Sequence, residues 1–213
     1  TLFRSYQLLF IFLATGTDAT IALIGGADIT ANFRPGTMAI SIGMLLSALA
    51  MTWHLVHFHY VKFNKESMYE VSKKIILLCI PLLLSAQFIA GILNEALDLT
   101  DTNQELFISM SHNIFGVLSI AIVVPILEEV LFRGAIEGHL LRKGWSPKWA
   151  ILVSALIFGI IHGNPAQIPF AFLIGLLFGW LYYRTGSLVP GIVGHIINNS
   201  FGAWTMFTAT REE

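Results

Sequence analysis

Long apolar runs govern what this chain can fold into. Seven of them, Ser5–Gly25, Met38–His59, Lys74–Leu93, Asn113–Phe132, Lys148–His162, Ile168–Tyr183 and Leu188–Thr208, fill most of the 213 residues. About 20 mostly apolar residues cross a bilayer as a helix, and inside hydrocarbon a helix pairs its own backbone donors and acceptors. The expected fold is therefore all-α: a polytopic transmembrane helix bundle of about seven spanning segments. The first segment is the weakest because Asp18 sits inside it, and the fifth and sixth are short, separated by His162-Gly163-Asn164-Pro165. The stretch GHLLRKGWSPKW, 138–149, reads as an interfacial helix or loop with Trp145 and Trp149 at the headgroups. No long soluble stretch, low-complexity tract or repeat interrupts the pattern, so residues 1–213 read as a single membrane domain.

Composition agrees. Hydrophobic residues make up 55% of the chain and charged ones 12%, against about 25% charged in soluble domains. A formal net charge of −1 argues against nucleic acid as a partner, which would need a basic face. Cys79 is the single cysteine, so no internal disulfide forms and the residue reads as a small buried apolar side chain. The N-terminal stretch shows no cleavable-signal pattern, and its first helix is expected to stay in the membrane.

Lysine and arginine in the short loops set the orientation. Lys62, Lys65, Lys73 and Lys74 lie between segments two and three, Arg133, Arg142, Lys143 and Lys148 between four and five, and Arg184 between six and seven. The alternate loops carry Arg34 alone, then Glu95, Asp98, Asp101 and Glu105, then no basic residue. The N-terminus is expected in the cytoplasm and the C-terminus outside.

Ionisable residues inside membrane segments mark function by default. In PILEEVLFRG, 125–134, Glu128 and Glu129 point 100° apart on a helix. Glu129 and Arg133, four apart, can pair along it, which leaves Glu128 as the better chemical candidate. The plainer reading, two solvated acids at a helix end, stands at about even odds for an arbitrary membrane protein. His162 ends an apolar run at a helix-breaking Gly-Asn-Pro, and His195 and Asn199 share one face of the last segment. Taken singly, each suits a structural role better. Together they supply a carboxylate to take a proton from water, a histidine to hold that water, and an imidazole and amide to bond an oxyanion. Those are the parts of peptide hydrolysis by activated water, and no serine or cysteine stands in a comparable nucleophile setting. A divalent metal such as zinc, held by Glu128, His162 and His195, is the other chemistry these residue types allow.

EEVLFR, FGIIH (158–162) and HIINN (195–199) resemble the EExxxR, FxxxH and HxxxN motifs of the CPBP family of CAAX and bacteriocin-processing intramembrane proteases. FLIGLLFGWLYYRTGSLVPGI, 172–192, is similar to the family's glycine-spaced helix and TGSL turn. The motifs occur in family order across about the last two fifths of the chain, within 125–200. The resemblance implies an intramembrane endopeptidase of bacterial type. Glu128 with His162 would activate water, His195 with Asn199 would bind the oxyanion, and Glu129 and Arg133 would support them. It leaves metal use open; the absence of HExxH spacing favours a reaction without a cofactor. The implied partners are a small peptide or membrane-associated protein substrate and the bilayer.

The catalytic groups meet at one depth only if segment five starts below the level of Arg133, because His162 lies about 21 Å along the helix from Lys148. The expected active site opens to the cytoplasm. The alternative from another class is a non-catalytic scaffold or bacteriocin self-immunity protein; a proton-coupled transporter is weaker, since no paired broken helices recur. His54 and His57 read as an interfacial cluster with Tyr60 and Lys62, and Asp18 as facing the bundle or hydrogen-bonding Thr15 and Thr20. Trp180, Tyr182 and Tyr183 read as lipid-facing or interfacial, and Gly175 and Gly179 as a close-packing pair.

Overall fold

The computed structural model describes residues 2–24, 36–61, 68–69 and 71–209. Gly25, Arg34, Lys62 and Lys65 lie outside the described residues. All seven apolar runs are helical, and no strand occurs among the described residues. The helices are α1 (Leu2–Ile24), α2 (Thr37–His57), α3 (Lys73–Ala96), a short α4 (Gln104–Ser111), α5 (Ile114–Arg142), α6 (Pro147–Ile161), α7 (Ile168–Thr185) and α8 (Val189–Ala209). Four of them, α2, α3, α5 and α7, are long and apolar enough to cross a membrane; Leu8–Ile24 of α1 and all of α6 are shorter apolar helices. Side chains such as Phe12, Leu77, Leu78 and Phe88 are exposed along these helices, as a lipid-facing surface requires. The protein is an all-α, multi-pass membrane protein.

The largest departure from expectation is in the fourth segment. Its helix does not end at Phe132 but continues to Arg142, closed by Lys143 and by Gly144 at φ +82°. Residues 138–142, expected as an interfacial helix or loop, are helical and continue α5. The charges do not stop the helix because helix-mates and neighbours absorb them. Glu128 consequently stands midway along α5 rather than near its end.

α5 is also not regular. It widens to π-helical hydrogen bonding over Ser119–Val123 and again over Val130–Glu137. The first widening has a local cause: Pro125 donates no N–H and its ring crowds the carbonyl four residues back, at Ala121. A widened turn leaves carbonyls short of their usual donors, and polar side chains take them up. Asn199 Nδ2 donates to the Ile120 carbonyl at 3.0 Å, and Ser154 Oγ donates to the Phe132 carbonyl at 2.9 Å.

The chain divides into two compact units, with boundaries that fall inside α2, α4, α5 and α8. The first comprises the described residues of 1–54, 105–127 and 199–213. Its core is Met110, Ile120, Ala121 and Ala203, flanked by Met44, Leu106, Phe107 and Val117. Asn113 caps α5 by accepting from Gly116 N (2.7 Å), and its Nδ2 donates to Ser41 Oγ (3.3 Å). Asp18 accepts from Gly36 N at 2.7 Å, whereas Thr15 and Thr20 bond carbonyls of their own helix. His54 Nδ1 meets Tyr6 Oη at 3.1 Å.

The second unit comprises the described residues of 55–104 and 128–198. Cys79, Leu83 and Ala86 of α3 pack with Phe132, Phe158, Ala171, Ile174, Phe178 and Leu181. Gly175 lets α7 approach α6 closely: a Cβ there would lie 3.0 Å from Ala155. The turn after α6 begins with Gly163 at φ +65°, a conformation that suits glycine. It is pinned by Asn164, whose Nδ2 donates to Asp101 Oδ1 (2.7 Å) and whose Oδ1 accepts from Thr102 N (3.3 Å). Asn94 Nδ2 adds a bond to the Ala166 carbonyl (2.8 Å). Trp145, Trp149, Trp180 and Tyr183 are exposed. Tyr182 departs from that pattern: it is half-buried, with its hydroxyl over Gly138.

The junction of α4 and α5 gives a direct test. A Cβ on Gly116 would collide with the Met110 carbonyl oxygen, whereas one on Gly202 would meet nothing within 4 Å. Overpacking costs about 1–3 kcal/mol or more, so Gly116→Ala is expected to lower the thermal unfolding midpoint in detergent and Gly202→Ala to leave it nearly unchanged.

Candidate active site

The site grows from one ion pair. Arg133 Nη1 donates to Glu129 Oε1 at 2.9 Å, with both side chains 1% exposed. The four-residue spacing puts them on one helix face, and burial makes the pair obligatory, since either charge alone would be costly. Arg133 Nη2 donates to the Gly175 carbonyl at 3.4 Å. The guanidinium carbon also lies 4.6 Å from the Phe158 ring centroid and 5.5 Å from that of Phe178. Planar, delocalised and weakly hydrated, guanidinium suits such a slot.

Glu129 in turn holds His195. Its Oε1 lies 3.0 Å from His195 Nδ1, and on the other edge of the ring His195 Nε2 lies 3.5 Å from Glu128 Oε2. Two carboxylates that diverge by 100° thus reach one imidazole, because its two nitrogens face opposite ways. A neutral imidazole donates from only one nitrogen, whereas the doubly protonated ring satisfies both neighbours. The fit depends on glycine: a Cβ on Gly191 would stand 2.5 Å from Glu129 Oε2, and one on Gly194 would stand 3.0 Å from Phe178.

His162 ends α6, and its Nδ1 lies 2.7 Å from the Phe158 carbonyl. A carbonyl only accepts, so Nδ1 donates to it, and in a neutral ring the acceptor nitrogen is then Nε2. His162 and His195 both rest edgewise on the Phe158 ring, at centroid distances of 4.9 and 5.8 Å. Glu128, Glu129, Arg133 and His195 are therefore in direct contact, and His162 joins them across Phe158. Asn199 follows His195 by one turn in α8, with its amide on the Ile120 carbonyl.

Among the described residues, no group of three His, Cys, Asp or Glu side chains is placed to hold a metal ion. Glu128 and His195 are near neighbours, but as arranged His162 does not complete a three-ligand set with them.

Sequence reading did not single out several members of this neighbourhood. Phe178 completes, with the motif's Phe158, the slot for Arg133. Ser154 secures the widened turn, and Gly191 clears room for Glu129. Glu137, four residues past Arg133, is 0% exposed with neither carboxylate oxygen hydrogen-bonded. Its signal was the extended spacing Glu129, Arg133, Glu137, which continues one helix face beyond the motif.

Removing one partner of a buried pair costs about 3–5 kcal/mol. Arg133→Ala is therefore expected to depress the thermal midpoint strongly. Arg133→Lys should recover only part of the loss, because ammonium neither forks nor stacks. Glu129→Gln combined with Arg133→Ala should cost less than the two single losses summed, as a double-mutant cycle in detergent would measure.

Residues 110–201 match the family profile described as type II CAAX prenyl endopeptidase Rce1-like. Over 81 residues the chain is 38% identical to the "Putative membrane peptidase YdiL" of Bacillus subtilis, covering 38% of this chain and 33% of that protein. It is 33% identical over 106 residues to the membrane-embedded CAAX protease MroQ of Staphylococcus aureus, covering 47% of this chain and 42% of MroQ. With UPF0177 protein YxdF of Lactococcus lactis the identity is 28% over 122 residues, 57% of this chain and 63% of YxdF. The chain thus spans less than two thirds of the length of each of these relatives. No solved structure matches it. The stretch that carries every residue of this site, 110–201, is the part of the chain that is similar to the Rce1-like CAAX-endopeptidase profile.

Proposed function

We propose that this protein is an intramembrane endopeptidase that cleaves a peptide or a membrane-associated protein with activated water. The observation that carries this reading is Glu128 held against His195, with Glu129 and Arg133 fixing the histidine from behind. Glu128 takes a proton from water as its oxygen attacks the scissile carbonyl, forming the tetrahedral oxyanion. His195 and Asn199 donate hydrogen bonds to that oxyanion. His162, with its Nε2 lone pair free, accepts from the attacking water and orients it. Glu128 then returns its proton to the leaving amine as the C–N bond breaks. No step in this sequence requires a metal. The whole chain works as one membrane domain, and its partners are the substrate and the bilayer.

In this reading the site opens to the cytoplasm, with the N-terminus inside and the C-terminus outside. Exposed Lys73, Lys74, Lys143 and Lys148 at one set of helix ends support it, opposed by Glu95, Asp98 and Glu105 at the other. Single cysteines in a Cys79→Ser background test the orientation. A thiol at Lys143 should react with an impermeant reagent only in inverted vesicles, and one at Asp98 only in right-side-out vesicles. The reverse pattern overturns the assignment.

Activity is tested on purified protein with quenched peptides, one set ending in a prenylated CAAX sequence and one unprenylated. Glu128→Gln and His162→Ala are expected to abolish cleavage while leaving the unfolding midpoint close to wild type. Equal cleavage by wild type and Glu128→Gln would remove the base from the mechanism. Chelator should leave the wild-type rate unchanged; a chelator-sensitive rate restored by zinc would instead assign the water to a metal.

A further inference from the structure

Glu137 is used by no step above, yet it is as fully buried as Glu129 on the same helix. Its side chain is 0% exposed and both of its oxygens lack a hydrogen-bond partner. A buried carboxylate left bare is costly, and such a group calls for an explanation in function. Space has been cut for it in the facing helix: a Cβ on Gly179 would lie 2.6 Å from Glu137 Oε2 and 3.1 Å from Ile151 Cγ2.

The missing half of the account lies one turn back. Arg133 spends Nη1 on Glu129 and Nη2 on the Gly175 carbonyl, while its Nε is buried with no acceptor. A bare buried donor and a bare buried carboxylate, four residues apart on one helix, are complementary. Glu129, Arg133 and Glu137 then form a ladder in which the guanidinium is gripped on both sides.

We propose that Glu137 is a positioning residue of this site, accepting from Arg133 Nε–H and thereby holding Arg133, Glu129 and His195 in register. The Nη1 and Nη2 bonds anchor one edge of the guanidinium, while its Nε edge, which has no acceptor, is free to slide against the Phe158 and Phe178 rings. A second carboxyl on Nε stops that slide, and with it the drift of Glu129 away from His195 Nδ1. The proposal rests on the peptidase reading for its kinetic consequence but not for the contact itself.

The experiment uses the full chain in detergent with Glu137→Gln, Glu137→Leu and Gly179→Ala. Gln keeps an acceptor oxygen, Leu removes it, and the alanine methyl displaces the Glu137 carboxyl without deleting it. With the quenched peptide that wild type cleaves, Glu137→Leu is expected to lower kcat about 10–100-fold at unchanged KM. Arg133 keeps Glu129 as its counter-charge in this variant, so no buried cation is left unpaired and the unfolding midpoint should stay close to wild type. Glu137→Gln should restore kcat.

The Nε–H resonance of 15N-arginine-labelled protein, assigned by its loss in Arg133→Lys, reads the contact without any substrate. It should exchange slowly with water in wild type and Glu137→Gln, and quickly in Glu137→Leu and Gly179→Ala. Wild-type kcat and slow exchange in Glu137→Leu would overturn the proposal. So would a midpoint that falls in step with kcat, which would mark a merely structural role. If Glu137→Leu does not fold, fast exchange in Gly179→Ala supports the proposal and slow exchange there overturns it. If Glu128→Gln cleaves like wild type, the peptidase reading fails, yet the exchange measurement still decides the contact.

Discussion

A guanidinium buried inside a membrane helix is the constraint on which the rest of this site depends. Arg133 cannot reach water, so its charge has to be met where it stands. Glu129 meets it along the helix, the Gly175 carbonyl meets it across the helix interface, and two phenylalanine rings line its faces. Every one of those partners brings a requirement of its own. Glycines at 175, 191 and 194 keep neighbouring backbone and side chains out of the way, and Phe158 becomes the plate on which both histidines rest. The chemistry-bearing groups are thus arranged by the solution to a solvation problem.

The same logic separates the two glutamates. Glu129 is 1% exposed and committed to Arg133 and His195, while the Glu128 side chain is 12% exposed and meets only the outer edge of that ring. One acid is structural because it is spoken for; the other keeps access to water. A carboxylate that is partly dry, fixed in place and not ion-paired by a permanent cation suits a general base.

Much of this was legible in the sequence, for local reasons. Apolar run lengths located all seven principal helices, because a spanning segment needs a nearly fixed number of residues. The Glu129–Arg133 contact followed from four-residue spacing, which any helix imposes. The extension of α5 to Arg142 was missed because Glu129, Arg133 and Glu137 look like the hydrophilic end of a helix when their partners are unknown. The meeting of both glutamates on His195 was missed because a helical wheel gives directions but not what lies between them. The widened turns needed Pro125 together with two distant side chains, Asn199 and Ser154, which pair only through tertiary structure.

Those widened turns carry a consequence for how such a chain can change. A π turn is, in register, an ordinary helix that has accepted one extra residue. Deleting a residue within 119–123 or 130–137 would return regular hydrogen bonds to α5, yet rotate everything beyond it by about 100°. Helix regularity and carboxylate placement therefore pull against each other at the same points in the chain. Substitutions can accumulate around this site one at a time, but a length change inside α5 has no neutral intermediate.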